Sequence, residues 1–361
     1  MSEGNPTITP SMTGIQQAKR KVKNCALRFF DMSGFASLIG RIYGGRGVIL
    51  MFHEFTREPK ALLGQGCRAS DFEAALRTIV SQGRDIVTLS EALIRLKDPQ
   101  SQPFAVLTFD DGYRSNLELA LPIMEKFHAP ATIFVPTEMM TRSINAWWLG
   151  VRQMFIDNDR VSFDPMGVTF EVTDVASKTA ALMQVVAWVW DDFRRVEQLG
   201  SVFASTNVSL PDIVDELAIT EEEMINIDQN PLIEIGAHTT THRALSYLTD
   251  DEVMSDIGDN KAYLEEKLQR QVKHFAYPYG APSISGTREA LIAKKLGFET
   301  AMTTEAGCLF PDHLMDPFLL PRQDGENTEE GNAQVACGAN GVFRAIASKF
   351  GSPIVNARPF S

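Results

Sequence analysis

The residues best placed to do chemistry stand in two short runs far apart in the chain. Thr108-Phe109-Asp110-Asp111-Gly112 carries adjacent carboxylates, and His238-Thr239-Thr240-Thr241-His242 carries two imidazoles four residues apart. One carboxylate and two imidazoles make a three-ligand metal site with room for water, and the spare carboxylate is free to act as a base. That is the equipment of a metal-assisted hydrolase. Each run alone has a plainer explanation. Asp-Asp-Gly after a strand is ordinary turn chemistry, and histidines four apart share a helix face without binding anything. Their joint placement argues for the metal site, because the chain has only six histidines and both runs follow apolar strands.

Those strands must position the chemistry. Phe104–Phe109 and Leu232–Gly236 are short apolar runs of the kind buried in parallel sheets, and both chemical runs leave a strand's C-terminal end, where β/α barrels keep their active sites. Adjacent residues leaving a strand point in different directions, so one aspartate can bind metal while its neighbour faces substrate or water. Further strands are expected over 47–53, 86–89, 131–135, 272–276 and 298–302. Ser70-Asp71-Phe72-Glu73 reads as a capping box opening a helix to Gln82, with Gly83 ending it. Thr249-Asp250-Asp251-Glu252 opens another to Gln269, and Glu289–Leu296 forms a third, closed by Gly297. Strand–helix alternation over this length argues for an α/β fold with parallel strands.

The motifs resemble those of the NodB-homology polysaccharide deacetylases (carbohydrate esterase family 4). That family's Thr-Phe-Asp-Asp-Gly is matched by residues 108–112, and its His-Ser/Thr-x-x-His by His238, Thr239 and His242. Its third motif, ending in Pro-Tyr, is matched in part by Tyr277-Pro278-Tyr279-Gly280. The likeness covers residues 47–325. It implies an irregular (β/α) barrel with fewer than eight strands, one divalent metal ion, and removal of an acetyl group from an N-acetylated saccharide (polysaccharide, oligosaccharide or glycan precursor). It assigns Asp111, His238 and His242 to the metal, with zinc first and cobalt, nickel or manganese as alternatives. It makes Asp110 the general base that takes a proton from metal-bound water, and it gives the oxyanion to the backbone N–H of Tyr279.

The chain departs from the family pattern twice. No arginine occurs in residues 272–280 to orient the base, and His313, in Phe310–Leu314, does not fit the Leu-x-His context of the family's late general acid. Arg322, after Leu319-Leu320-Pro321, is available to pair with Asp110 and keep it ionised; a structural ion pair is its plainer reading. His53 ends the apolar run 47–53 and faces the same mouth as the metal. In this it resembles the poly-N-acetylglucosamine deacetylase branch, where an early Met-Tyr/Phe-His supplies the histidine. His53 is therefore expected to protonate the leaving amine, against the plainer reading of a satisfied core histidine. His128 and His274 read as structural.

Residues 1–46 read as a polar tail and helix, 47–325 as the barrel with a mainly helical insertion over 141–231, and 326–361 as a C-terminal helix and tail. The insertion holds all four tryptophans, Trp147, Trp148, Trp188 and Trp190. A helix is expected over 176–199, then a polar patch over 201–209, then a capping box at Thr220–Glu223. The tryptophans read as the insertion's own core, with stacking on a sugar ring as the sharper alternative.

At 361 residues and 44% hydrophobic content the chain can bury a large core. A net charge of −12 argues against broad nucleic-acid or anionic-membrane binding. Cys25, Cys67, Cys308 and Cys337 are scattered, as expected of reduced thiols in a cytoplasmic enzyme. Residues 1–18 read as polar and disordered, followed by a basic cluster at Lys19–Lys23. The stretch Cys25–Tyr43 is broken by Arg28, Asp31 and Arg41, too often for a transmembrane span. An amphipathic helix packed on the barrel is the plain expectation there, and weak membrane-surface docking the sharper one. Three rival functions remain open: an O-deacetylase or other amide hydrolase of non-peptide C–N bonds on the same scaffold, an iron(II) oxygenase, and a non-catalytic saccharide-binding module. The sequence carries no signal of oligomeric state.

Overall fold

Apolar runs of the sequence become the strands of one curled parallel sheet. A computed structural model describes residues 5–10, 26–27, 29–30, 33–326 and 332–356. The strands are β1 Gly47–Phe52, β2 Asp85–Ile86, β3 Phe104–Phe109, β4 Ala131–Val135, β5 Ile233–Ala237, β6 His274–Ala276, β7 Thr300–Met302 and β8 Gln323–Asp324. Their order is β7-β6-β5-β4-β3-β1-β8, with the two-residue β2 pairing beside β3 off this path. Residues 317–320 hydrogen-bond to Ala301 and Thr303 at the β7 edge, and the same segment runs on into β8, which pairs with β1. The sheet is thus an irregular barrel with its edges drawn together, and its eight strands exceed the number expected because the short β2 and β8 join by pairing with longer strands. Every residue of β1, β3 and β4 is buried, which is why these strands read as continuous apolar runs rather than alternating ones.

Strand periodicity decides what reaches the mouth. On β3, Phe104 and Val106 belong to a core cluster with Ile49, Phe134, Ala276, Met302 and Leu320. Side chains two apart share a face, so Thr108 and Asp110 continue that face upward. Ile49 and Met51 on β1 and His53 just after it do the same, as do Gly236 and His238 on and just after β5. A Cβ at Gly236 would stand 2.5 Å from the Phe134 ring, so only glycine fits beneath His238. On the opposite face, Phe52, Phe55, Phe72 and Phe109 form a ring cluster with centroids 4.9 to 5.9 Å apart, edge-to-face except for the stacked Phe52–Phe55 pair, which fixes the helix carrying Phe72.

The helices around this sheet include α1 Phe35–Tyr43, α2 Ala69–Ser81, α3 Leu89–Lys97, α4 Leu121–Phe127, α5 Asp250–Leu268, α6 Thr287–Lys295, α7 Asn332–Ala339 and α8 Val342–Ala347. The capping box at Thr249–Glu252 opens α5 as expected. The one expected at Ser70 does not form. Cys67–Arg68 is held extended by pairing with Phe55–Thr56, so the helix begins at Ala69 and Ser70 already lies inside its first turn. The strand expected over 86–89 is also shorter. The Thr88 hydroxyl accepts from the Glu91 N–H and caps α3, which turns the chain into helix.

A second compact unit is built on Arg142–Leu217 together with Glu58–Gly66 and the strand Thr7–Ile8. It contains a hairpin, Arg160–Phe163 with Val168–Glu171, and Thr7–Ile8 pairs in parallel with Thr169–Phe170. The tail read as disordered therefore contributes a strand. The helix expected over 176–199 runs from Val175 to Asp191 and breaks at Asp192, whose carboxylate accepts from the Arg194 N–H. Most of the polar patch at 201–209 is helix, Leu199–Ser205. The tryptophans pack on this unit's own aromatics: Trp188 on Phe163 at 5.6 Å, Trp190 on Phe193 at 5.2 Å, and Trp147 on Phe193 at 6.4 Å. The capping box at Thr220–Glu223 forms, but its helix Glu221–Ile227 belongs with the barrel. Lys19–Lys23 and Cys25 lie outside the described residues. Among the described residues no helix is long and apolar enough to cross a membrane.

Candidate metal centre

Asp110 and Asp111 leave β3 in different directions because Asp111 takes a left-handed backbone, φ 70°, followed by Gly112 at φ 69°. The second run is a loop, not a helix: Thr239 and His242 are also left-handed, at φ 64° and 54°. This loop is held from α5. Asp256 accepts from the Thr240 and Thr241 N–H groups and the Thr241 hydroxyl at 3.1, 2.9 and 2.8 Å. The buried Asn260 accepts from the His238 N–H at 2.9 Å and donates to the Val135 carbonyl at 3.0 Å. Tyr279 has φ 61°, so four of the twelve left-handed non-glycine residues among the described ones lie in this loop cluster. Each costs about 1–3 kcal/mol unless its surroundings over-determine it, and such strain concentrates at functional sites.

The result is a buried triad. Asp111, His238 and His242 each offer one ligand atom, and the three atoms lie within 4.8 Å of one another. The Asp111 Oδ1 is 3.4 Å from His238 Nε2 and 3.2 Å from His242 Nε2, yet it is buried without a hydrogen-bond partner. His238 Nδ1 meets the Ala276 carbonyl at 2.7 Å, which puts the proton on Nδ1 and leaves the Nε2 lone pair facing the carboxylate. Burial holds the His242 imidazole below its ordinary pKa despite Asp111. Burial acts upward on Asp111, but His242, His238 and His53 hold its carboxyl well below the usual range. Two lone-pair donors and an ionised carboxylate converging on one buried point fit a divalent cation.

Asp110 has a different partner. Arg322, itself fully buried, grips it bidentately at 2.8 and 2.7 Å, and its Nε donates to the Thr303 carbonyl at 2.9 Å. Burial acts upward on the Asp110 carboxyl, while Arg322, His238 and His53 hold it below the usual carboxylate range. His53 Nε2 stands 3.9 Å from the same carboxylate.

The sequence reading missed Glu326. Its Oε1 accepts from the His53 backbone N–H and lies 3.0 Å from His53 Nδ1. The chain reaches this position because Gly325 crosses the Phe52 ring, only 2.3 Å from where a Cβ would stand. Asn116 donates to the His53 carbonyl at 2.7 Å and fixes the backbone from the other side. Burial acts to lower the His53 pKa, but Glu326, with Asp110 and Asp111 behind it, pushes it up to about 10. No local signal in the sequence marks Glu326, which lies 273 residues from its partner.

Tyr279 stacks edge-on against His242, centroids 4.9 Å apart, and its carbonyl accepts from the Thr304 hydroxyl at 2.9 Å. His313 is spent elsewhere, its nitrogens on the Phe310 backbone and the Val355 carbonyl. His128 caps the C-terminal end of α4, and His274 lies in β6.

Residues 97–301 match the profile of the polysaccharide deacetylase family. YxkH of Bacillus subtilis (strain 168), a protein named for the same family, is 23% identical over 274 residues, 74% of this chain and 67% of its own length. Among solved structures, IcaB from Ammonifex degensii superposes with a TM-score of 0.52 at 18% identity, covering 83% of this chain and 99% of that one. The deacetylase PplD from Streptococcus pyogenes, solved in complex with acetate, gives 0.50 at 18% identity, covering 78% and 95%.

Proposed function

The chain belongs to the polysaccharide deacetylase family and is a carbohydrate deacetylase, and we propose that it removes the N-acetyl group of a saccharide with the help of one divalent metal ion. The observation that carries this reading is the buried Asp111–His238–His242 triad with Asp110 beside it, ionised and separately held.

Asp111, His238 and His242 would hold the cation, zinc being the first choice for two imidazoles and one carboxylate. Bound there, it supplies Lewis acidity toward the acyl carbonyl and toward water. Asp110 accepts the proton of the attacking water, and Arg322 keeps it ionised and aimed. The Tyr279 backbone N–H is assigned to the developing oxyanion. His53 stays protonated because Glu326 faces its Nδ1. Its Nε2 proton then passes to the nitrogen as the C–N bond breaks, and Glu326 retains the Nδ1–H tautomer. A cytoplasmic location, with an intracellular saccharide or precursor as substrate, completes the proposal, and cell fractionation tests it.

The deciding experiment is acetate release from N-acetylated saccharides, short oligomers and nucleotide-linked sugars, with O-acetylated counterparts, in the presence and absence of a chelator. Chelator-sensitive release from the N-acetylated set is expected. Release only from O-acetyl esters would overturn the N-deacetylase assignment. Absence of any release from metal-loaded protein would overturn hydrolysis of these substrates altogether.

A further inference from the structure

Charge is unevenly distributed along this acidic chain. Residues 19–46 and 332–361 hold ten of the 34 lysines and arginines but one of the 46 aspartates and glutamates, giving them a net +9 against −21 for the rest. The described parts of these two segments come together in the fold. Leu27, Ala36, Ala333, Cys337 and Val342 form one buried cluster, with Ile39 packed against it, and α1 packs on both α7 and α8.

Helix α1 has two apolar faces. Ala36, Ile39 and Tyr43 turn inward. Phe35, Leu38 and Ile42, at the same spacing one residue earlier, are 49 to 63% exposed. Phe29 stacks on Phe35 at 6.1 Å and is equally bare. The exposed Phe350 meets Tyr43 edge-on at 6.4 Å, and α8, which packs on α1, carries the exposed Ile346. These six are among fourteen exposed large apolar side chains in the described residues, and they come from two short segments. Scattered exposed apolar residues need no explanation, but a contiguous set does. Neither α1 nor α8 carries an acidic residue, and the exposed Arg41 and Lys349 have no ion pair among the described residues.

We propose that this face docks the protein on the surface of an anionic lipid bilayer, with the six apolar side chains entering the headgroup–acyl boundary and Arg41 and Lys349 meeting lipid phosphates. The charge distribution selects this occupant. A second copy of the chain would set one basic face against another, which is repulsive. Side chains protruding from a helix lying along the surface suit a medium they can penetrate. The negative charge of the remaining chain favours an orientation with this face alone toward the lipid.

The test is sedimentation of the full chain with vesicles of phosphatidylglycerol and phosphatidylcholine against vesicles of phosphatidylcholine alone. Two variants accompany it, Phe35→Ser/Leu38→Ser/Ile42→Ser and the charge reversal Arg41→Glu/Lys349→Glu, each checked for unchanged thermal unfolding. The second leaves the apolar stripe intact, should the first fail to fold. Binding confined to the anionic vesicles, weakened by salt and reduced about tenfold or more in a folded variant, is the expected result. Three results would overturn the proposal: no pelleting, equal pelleting with neutral vesicles, or full binding retained in a folded variant. A concentration-dependent dimer abolished by the apolar variant would instead make the face a contact between copies.

Discussion

Two buried histidines on neighbouring strands of this sheet have opposite surroundings. His238 lies just past the C-terminal end of β5, and His274 starts β6 at the far end of the barrel. His238 spends Nδ1 on a carbonyl and turns Nε2 toward the buried Asp111 Oδ1, which His242 Nε2 also faces and which has no hydrogen-bond partner. His274 meets two hydroxyls, Thr300 at 2.8 Å on Nδ1 and Ser90 at 3.2 Å on Nε2. Burial, with Lys273 and Arg270 nearby, pushes its pKa down to about 3, so it is a neutral structural side chain. Burial is the same for both; what differs is whether the polar atoms balance. At the far end they do. At the mouth, imidazole lone pairs face the Asp111 carboxylate, and Asp111, Thr239 and His242 stand on left-handed backbone, the kind of strain that concentrates at functional sites.

Removing a triad member should break the contrast most sharply. Asp111→Ala or His238→Ala is expected to abolish stoichiometric metal by elemental analysis and lower kcat/KM about a thousandfold or more. Asp110→Asn should leave metal bound and lower kcat about 10²–10⁴-fold, which steady-state kinetics on metal-loaded protein would check. Unchanged turnover would remove Asp110 from the mechanism. Arg322→Met leaves the Asp110 carboxylate buried without its partner, and denaturant unfolding should show a loss of about 3–5 kcal/mol.

Glu326→Gln sharpens the comparison at a group that only the fold reveals. Its loss should cost about tenfold in kcat and move the alkaline limb of the pH–rate profile downward, because the carboxylate that holds the proton on His53 is gone. An unmoved limb would show that Glu326 only shapes the loop. The smallest catalytic effect is expected at His274. Its folded pKa lies below the ordinary 6.5, so the unfolded chain takes up the proton first. The stability this contributes is complete above about pH 6.5 and falls by about 1.4 kcal/mol per unit as pH drops toward 3. His274→Leu should flatten that slope in acid unfolding curves while leaving kcat within about twofold.

Much of the site was legible because strand parity is local. The apolar run Phe104–Phe109 put Asp110 and Asp111 at a strand's C-terminal end, where neighbours point apart, and apolar runs forecast six of the seven strands along the sheet's path. The misreadings were also local in cause. Ser70 lost its capping role to an extended pairing at Cys67–Arg68, and Thr88 turned an expected strand into a helix start. Thr7–Ile8 has no strand signal of its own and becomes one by pairing with Thr169–Phe170. Net charge is a sum and carries no position: the total of −12 includes two basic segments whose described parts meet only in three dimensions.

The sequence by itself determined the candidate ligand types, their exit from strand ends and the barrel that brings them to one mouth, because side-chain chemistry and the two-residue period are written residue by residue. Only the tertiary structure decided the partners: Arg322 on Asp110 across 212 positions, Glu326 on His53 across 273, and Asn260 and Asp256 behind the histidine loop. These pairings depend on register and close approach, such as the passage of Gly325 over Phe52, and such distances have no counterpart in sequence spacing.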